Sequence, residues 1–394
     1  MKLKKTIEKG IADSFIIWSK ELKNIYKDLG VIIFFVIVPL VYPVIYGIIY
    51  NPEVLREAPL VVVDESHSSL AREFVRKIDA TPDVRVYTYA SDMEEAKKII
   101  DRKEAYGILF IPSEFSSNIH RGLQSNVTLY ADMSGLLFYK NILLATTEAS
   151  LDMGETITMQ KVDLPVRYEA VAIYNTQNGF ASFLVPGILM LVIQQTLLLG
   201  IGMLTATIRE RNQGRLIPSG STHEGALRIV LGKAMAYLTV YIFICIWAVA
   251  IVPNLFHLIQ IAKYGTVLLF VLPYLLSCIF FAMTATTFIR GRETPMMVFV
   301  FTSLPLLFLS GISWPASAVP EFWKYFSYLF PSTFGIQGFV KLNSMGATLR
   351  EVSFEYQMLW LQTGIYFLTT LVIYSYNVIK CGEKRIIVNQ KTNV

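Results

Sequence analysis

Few residues in this chain have types and spacings that could do chemistry, and most of those lie between long apolar runs. Asp64, Glu65 and His67 follow a short apolar stretch, Leu60–Val63. The end of a strand is where α/β folds gather ligands, so the triplet could begin a metal shell or an acid–base pair. No second His or Cys cluster is there to complete a metal shell. The triplet therefore reads as a polar turn capping a helix, and His120, alone beside Arg121, as a solvated helix end. Gly225 to Gly232-Lys233 has the wrong spacing for a phosphate-cradling GxxxxGK[ST] loop and leads into an apolar run. No GxSxG, HExxH or placed carboxylate pair occurs. The 3 cysteines include no CxxC, which excludes a disulfide framework or a cysteine-rich zinc site. What remains is Gln194-Gln195-Thr196 inside an apolar run, and Arg209-Glu210-Arg211-Asn212-Gln213-Gly214-Arg215 just after it. No catalytic, cofactor or metal site is expected on the chain itself.

The elements that position these residues are membrane helices. Of 394 residues, 54% are apolar and only 16% charged, where soluble domains average about 25% charged. A span needs ~20 apolar residues to cross ~30 Å of hydrocarbon. Six runs lack Asp, Glu, Lys, Arg and His: Val31–Tyr50, Phe180–Ile208, Ala234–Pro253, Tyr264–Ile289, Pro295–Ser313 and Gln357–Ile379. The first follows a long polar stretch and leaves through Tyr50-Asn51-Pro52 rather than a small-residue cleavage site, so it reads as a signal anchor. The expected fold is thus a polytopic α-helical membrane protein with six transmembrane helices in 31–50 and 180–379.

Lys and Arg set the orientation. Segments 1–30, 209–233, 290–294 and 380–394 carry 7, 5, 2 and 4 of them, against 1 and 3 in 254–263 and 314–356. Positive residues stay inside, so both termini are expected in the cytoplasm and 51–175 outside. The net charge of +5 is too small, and too spread out, to argue for nucleic acid. In 1–30, Phe15, Trp18, Leu22, Ile25 and Leu29 recur at helical spacing opposite Lys20, Lys23, Asn24 and Lys27. That pattern suits an amphipathic helix in the cytoplasmic interface.

Residues 51–175 carry 13 Lys and Arg against 19 Asp and Glu. Strands are expected at Leu60–Val63, Val84–Tyr89, Tyr106–Ile111 and Val127–Tyr130. Helices are expected at Ser69–Ile78, Met93–Lys103 and Phe115–Arg121, with a long one from about Leu136. The alternation implies a small extracytoplasmic α/β domain with at least one crossover.

A residue charged at membrane depth costs at least ~2.5–3.5 kcal/mol and is kept for ion or proton coupling, and the runs hold none. Driving a two-state carrier from one side to the other takes about 5.5 kcal/mol. Any active transport must therefore draw on another subunit, for which loop 209–233 is the contact, read as a turn followed by a short helix along the membrane. Within the spans, Gln194 and Gln195 are the costliest residues to leave facing lipid. With Thr196 they either hydrogen-bond between helices or line a pathway. Pro315, Pro320 and Pro331 flank a short apolar helix at Phe322–Phe330, and non-helical chain at membrane depth is tolerated only inside protein. A re-entrant hairpin over 314–333 is therefore expected before the last span.

Four stretches together resemble the permease subunits of ABC-2 type exporters, in the branch with a large external domain after the first span. They are Val61-Val62-Val63-Asp64-Glu65 with Ser69 and Ile108 to Phe115; Tyr174-Asn175 with Phe183 to Gly187; Arg209-Glu210-Arg211 to Gly214 with Glu224, Gly232 and Lys233; and Ser310-Gly311-Ile312-Ser313-Trp314-Pro315 with Val319-Pro320-Glu321-Phe322-Trp323 and Pro331. The third departs from the family's pattern in having Arg215 and Leu216 where Thr and a Glu-type residue stand. The resemblance implies an ATPase-docking loop made of Arg209, Glu210, Arg211, Gly214, Arg215, Glu224 and Lys233. It implies a re-entrant segment marked by Trp314, Pro315, Pro320, Glu321, Trp323 and Pro331, and a bacterial inner-membrane location. It also implies two cytoplasmic ATP-binding subunits that carry ATP and Mg, and a second permease, the same chain or a sister. A periplasmic adaptor on the external domain stays open, and scattered hydroxyls in an apolar wall fit a drug- or lipid-like cargo. The competing class is a multi-span scaffold or receptor whose external domain binds an envelope partner.

Overall fold

In the computed structural model the chain divides into two compact units, Val54–Val171 and Met1–Glu53 with Ala172–Val394. The structure describes residues 2–50, 56–133, 136–158, 180–212, 214, 216, 225–256, 260–289, 291–314 and 316–392.

The smaller unit runs β1 (Ala58–Asp64), α3 (Ser69–Asp79), β2 (Val84–Tyr89), α4 (Met93–Asp101), β3 (Gly107–Ile111), α5 (Phe115–His120), β4 (Thr128–Ala131) and α6 (Leu136–Thr158); α1 and α2 precede it in the chain. Its sheet has the order β2-β1-β3-β4, with β1 parallel to both neighbours and β4 antiparallel. β1 is central and covered on both faces, which is why it reads as a continuous apolar run rather than an alternating one. Leu60 and Val62 join Leu109 and Ile111 against Phe74 and Ile78 of α3 and Ile142 and Ala145 of α6. Val61 and Val63 turn the other way, with Ile108, onto Ala96 of α4. The turn after β1 is a cap. Asp64 Oδ1 accepts from the amides of Ser66 (2.9 Å) and His67 (3.1 Å), and Ser68 Oγ accepts from Ala71 N at 3.1 Å to start α3.

Among its described residues the larger unit has helices and no strand: α1 (Lys2–Lys27), α2 (Leu29–Tyr50), α7 (Phe180–Arg211), α8 (Ala226–Leu255), α9 (Tyr264–Phe288), α10 (Thr294–Leu309), α11 (Glu321–Ser327), α12 (Pro331–Met345) and α13 (Ser353–Thr392). Five of these are long and apolar enough to cross a membrane: α2, the Leu184–Arg211 part of α7, α8, α9 and the Ser353–Ile379 part of α13. The fifth apolar run, Pro295–Ser313, gives only the 16-residue α10, about 24 Å long at 1.5 Å per residue. Gly311, at φ 86°, ends it short of Ser313. α12 has no counterpart in the runs read from sequence. Its polar residues mask an element most of whose side chains are buried.

α7 is the hub, packed against α2, α9, α10 and α12, while α1 lies along α8 and α13 along α9. Where α2 crosses α7, the fully buried Phe35 sits edge-on to Tyr237 and Tyr241, with ring centroids 5.8 and 4.8 Å away. A Cβ on Gly200 would stand 2.0 Å from the Phe35 ring. Gly200→Ala is expected to destabilise the bundle by about 1–3 kcal/mol through overpacking. Thermal unfolding in detergent checks this, and Phe35→Leu in the same chain should recover part of the loss.

Candidate functional site

The loop that joins α7 to α8 is held by two charged feet. At its start, Arg209 donates to the carbonyl of Thr287 at 2.6 Å and to that of Ile289, the two carbonyls that close α9. The C-terminal end of a helix leaves such carbonyls unpaired and electronegative, so a guanidinium fork is a fitting partner. Glu210 and Arg211 are exposed just beyond. Gly214 turns the chain at φ 82°, its amide donating to Arg209 O at 2.7 Å. Arg209, Glu210, Gly214, Thr287 and the 81%-exposed Phe288 line a cavity of about 670 Å³. Arg215 and Glu224 lie outside the described residues.

The second foot is on α8. Lys233 is 8% exposed, and its Nζ lies 3.2 Å from Oε1 of Glu21, itself 3% exposed. Tyr237 donates its hydroxyl to the same carboxylate oxygen at 2.5 Å. One turn earlier Arg228 pairs with Asp13 at 2.7 Å. Between them Gly232 lets α1 approach, since a Cβ there would meet Ile17 Cβ and the carbonyl of Ser14, each at 2.8 Å. The face that α1 turns to the bundle carries Ser14, Ile17, Glu21 and Ile25, with Asp28 just beyond its end. Phe15 and Leu29 of the stripe expected from apolar spacing are 51% and 71% exposed. The signal missed in the sequence was an acidic one: Asp13, Glu21 and Asp28 recur at intervals of two helical turns, in step with cations far along the chain.

Inside the bundle, the three polar residues of α7 point to three different neighbours. Gln194 Oε1 accepts from Ser332 N, in the first turn of α12, at 2.6 Å. Gln195 Nε2 donates to Thr302 Oγ1 of α10 at 3.2 Å. Thr196 Oγ1 bonds back to Val192 O at 2.7 Å and accepts from the Tyr241 hydroxyl of α8 at 3.0 Å. All three side chains are buried within the single chain and make interhelical bonds there.

A family model described as ABC-2 family transporter protein matches residues 29–372. The chain belongs to that family. It is a transport subunit, an ABC-2 permease of a multi-pass membrane kind. No curated protein and no solved structure matches it.

In this permease the stretches that stood apart in sequence meet. Gly187 of α7 faces Ile312, and a Cβ on it would lie 1.8 Å from Ile312 Cδ1. Ser310 closes α10, and its carbonyl accepts from Gln337 of α12 at 3.2 Å. Trp314, Pro320, Glu321 and Trp323 are exposed and Pro331 is buried, while Pro315 lies outside the described residues. The bend between α11 and α12 has its carbonyls answered by side chains: Thr333 donates to Ser327 O at 2.7 Å, Gln362 to Tyr328 O at 2.8 Å and Tyr366 to Leu329 O. Among the described residues no group of three or more His, Cys, Asp and Glu could hold a metal ion.

The Glu21–Lys233 contact gives a direct test of the second foot. Lys233→Met or Glu21→Gln alone leaves a buried charge short of its partner, which costs about 3–5 kcal/mol. The double variant is expected to lose clearly less than the sum of the two, as read by thermal unfolding of the detergent-purified permease.

Proposed function

We propose that this permease is the membrane half of an ATP-driven exporter, energised by separate cytoplasmic ATP-binding subunits that dock on loop 209–233. One observation carries the reading. The loop exposes Glu210, Arg211 and Gly214 beside an open cavity, while Arg209 and Lys233 fix its two feet to α9 and α1. A force applied at such a loop moves helices rather than slack chain. The permease supplies no nucleotide chemistry; ATP and Mg act on the partner subunits.

In this reading both termini and loop 209–233 face the cytoplasm, as the distribution of Lys and Arg requires, and Val54–Val171 lies outside. α10 is the fifth of six spans, a short one, and α11 with α12 forms a hairpin that enters the membrane and returns. The carbonyls of its bend, answered by Thr333, Gln362 and Tyr366, support that placement, because backbone at membrane depth needs partners from protein. Two permease chains, alike or sister, enclose the cargo path. The apolar wall with scattered hydroxyls favours an amphiphilic cargo, drug-like or lipid-like. The permease is placed in the bacterial inner membrane, and an adaptor on the external unit is compatible with the same architecture.

Purification of the tagged permease in mild detergent is expected to bring down an ATP-binding subunit at about one per permease. Reversing Glu210 and Arg211 together, or Gly214→Val at its positive φ, should leave the permease folded and the ATPase bound or active, but cut ATP-dependent transport about tenfold or more, a loss of at least ~1.4 kcal/mol of coupling. Transport at the native rate in both variants would remove the loop from this role. An envelope protein in place of an ATPase would favour a scaffold instead.

A further inference from the structure

Asp28 sits at the one-residue break between α1 and α2 and is 8% exposed. Its carboxylate takes four bonds from three separate parts of the chain. Oδ1 accepts from Gly30 N at 3.1 Å and Val31 N at 3.4 Å, capping α2. Oδ1 also accepts from Arg292 Nη2 at 2.5 Å, in the turn between α9 and α10. Oδ2 accepts from Thr207 Oγ1 at 3.2 Å, near the end of α7. Three of these bonds converge on Oδ1 and one on Oδ2, so both oxygens are engaged. Gly30 keeps the space closed, since a Cβ there would meet Met203 Cε at 2.9 Å and Arg292 Nη2 at 3.4 Å.

Arg209 repeats the same joint two residues further on. It starts from the end of α7 and reaches the carbonyls of Thr287 and Ile289 just before the turn that carries Arg292. The end of α7 is therefore tied to the end of α9 through Arg209, and to both the α9–α10 turn and the start of α2 through Asp28. The Asp28 side chain is 7% exposed and that of Arg292 43%, so parting the pair leaves the buried carboxylate without its cation, and the joint favours one closed arrangement.

We propose that Asp28 is a positioning residue that joins the first span to the foot of the coupling loop, so that movement of loop 209–233 reaches α2 and the α9–α10 turn as one rigid step. The proposal rests on the exporter reading for its coupling consequence, but not for the joint itself. Asp28 does not touch cargo or nucleotide; it acts through Arg292, Thr207 and the amides of α2.

The test uses the complex purified with its own ATPase, and compares Asp28→Asn, Arg292→Gln and the double variant. Asn keeps the size and an oxygen for the amides of α2, and its Nδ2 can donate to the Thr207 hydroxyl, but the charge that holds Arg292 is gone. Transport per ATP hydrolysed is expected to fall about fivefold or more in each single variant. The double variant should be no worse than the poorer single, because both changes open the same contact. In parallel, spin labels on Lys27→Cys and Glu293→Cys, both at exposed positions, report the distance across the joint in the permease alone. That distribution is expected to be narrow with the native pair and broad without it. Native coupling with an unchanged distribution in a folded Asp28→Asn protein overturns the proposal, as do additive losses in the double variant. If Asp28→Asn does not assemble, Thr207→Val, which leaves the charge pair intact, decides by the same two readouts: a smaller loss in the same direction supports the joint, and none overturns it. If the unsubstituted complex shows no ATP-driven transport, the exporter reading fails, and the spin-label distances alone judge the joint.

Discussion

Hydrocarbon offers no hydrogen bonds, so a polar group carried into the bundle is costly unless another group of the same assembly answers it. α7 brings in Gln194, Gln195 and Thr196 in succession, and three residues in a row on a helix point in three directions about 100° apart. Their partners lie on α12, α10 and, through Tyr241, on α8. That requirement makes α7 the centre of the unit. It also explains why α12, which would be a mediocre membrane helix by composition, is held inside: its first turn supplies the amide that Gln194 needs, and the bend before it is closed by side chains of α12 and α13. Small residues do the complementary work. Gly200 and Gly187 leave room for Phe35 and Ile312, so that α2 and the end of α10 come close enough to seal the same helix.

The same rule applied to charges organises the end of the unit that carries loop 209–233. Arg209, Arg228, Lys233 and Arg292 are each engaged, by the carbonyls that end α9 or by Asp13, Glu21 and Asp28 of the N-terminal segment, although Arg292 also stays exposed. Isolated ion pairs on a surface contribute little, but Glu21 and Lys233 are both nearly buried and share a third partner in Tyr237. Their role is to set register. α1 can slide along α8 only by breaking several matched contacts at once. These contacts stiffen the chain beneath the exposed Glu210 and Arg211.

The α/β unit follows a different logic. Its core is built by strand alternation and two helical covers, and its polar residues after β1 are spent on capping α3 rather than on a ligand.

Much of this was legible in the residues alone. Uncharged runs long enough to span a membrane mark helices whatever their neighbours do, because a charged side chain there is too costly. The strands and helices of 58–131 fall within a few residues of where short apolar runs and helical patterns put them. The order of the four family-like stretches identified the permease family, since that pattern is written along the chain. Tertiary structure decided what the N-terminal segment meets in the bundle: Asp13, Glu21 and Asp28 answer cations some 200 residues away or more. Tertiary structure likewise revealed α12 and assigned partners to Gln194, Gln195 and Thr196. A hydrogen bond between distant segments leaves no periodic trace in either one, and a helix whose polar atoms are satisfied by its neighbours does not look apolar until those neighbours are in place.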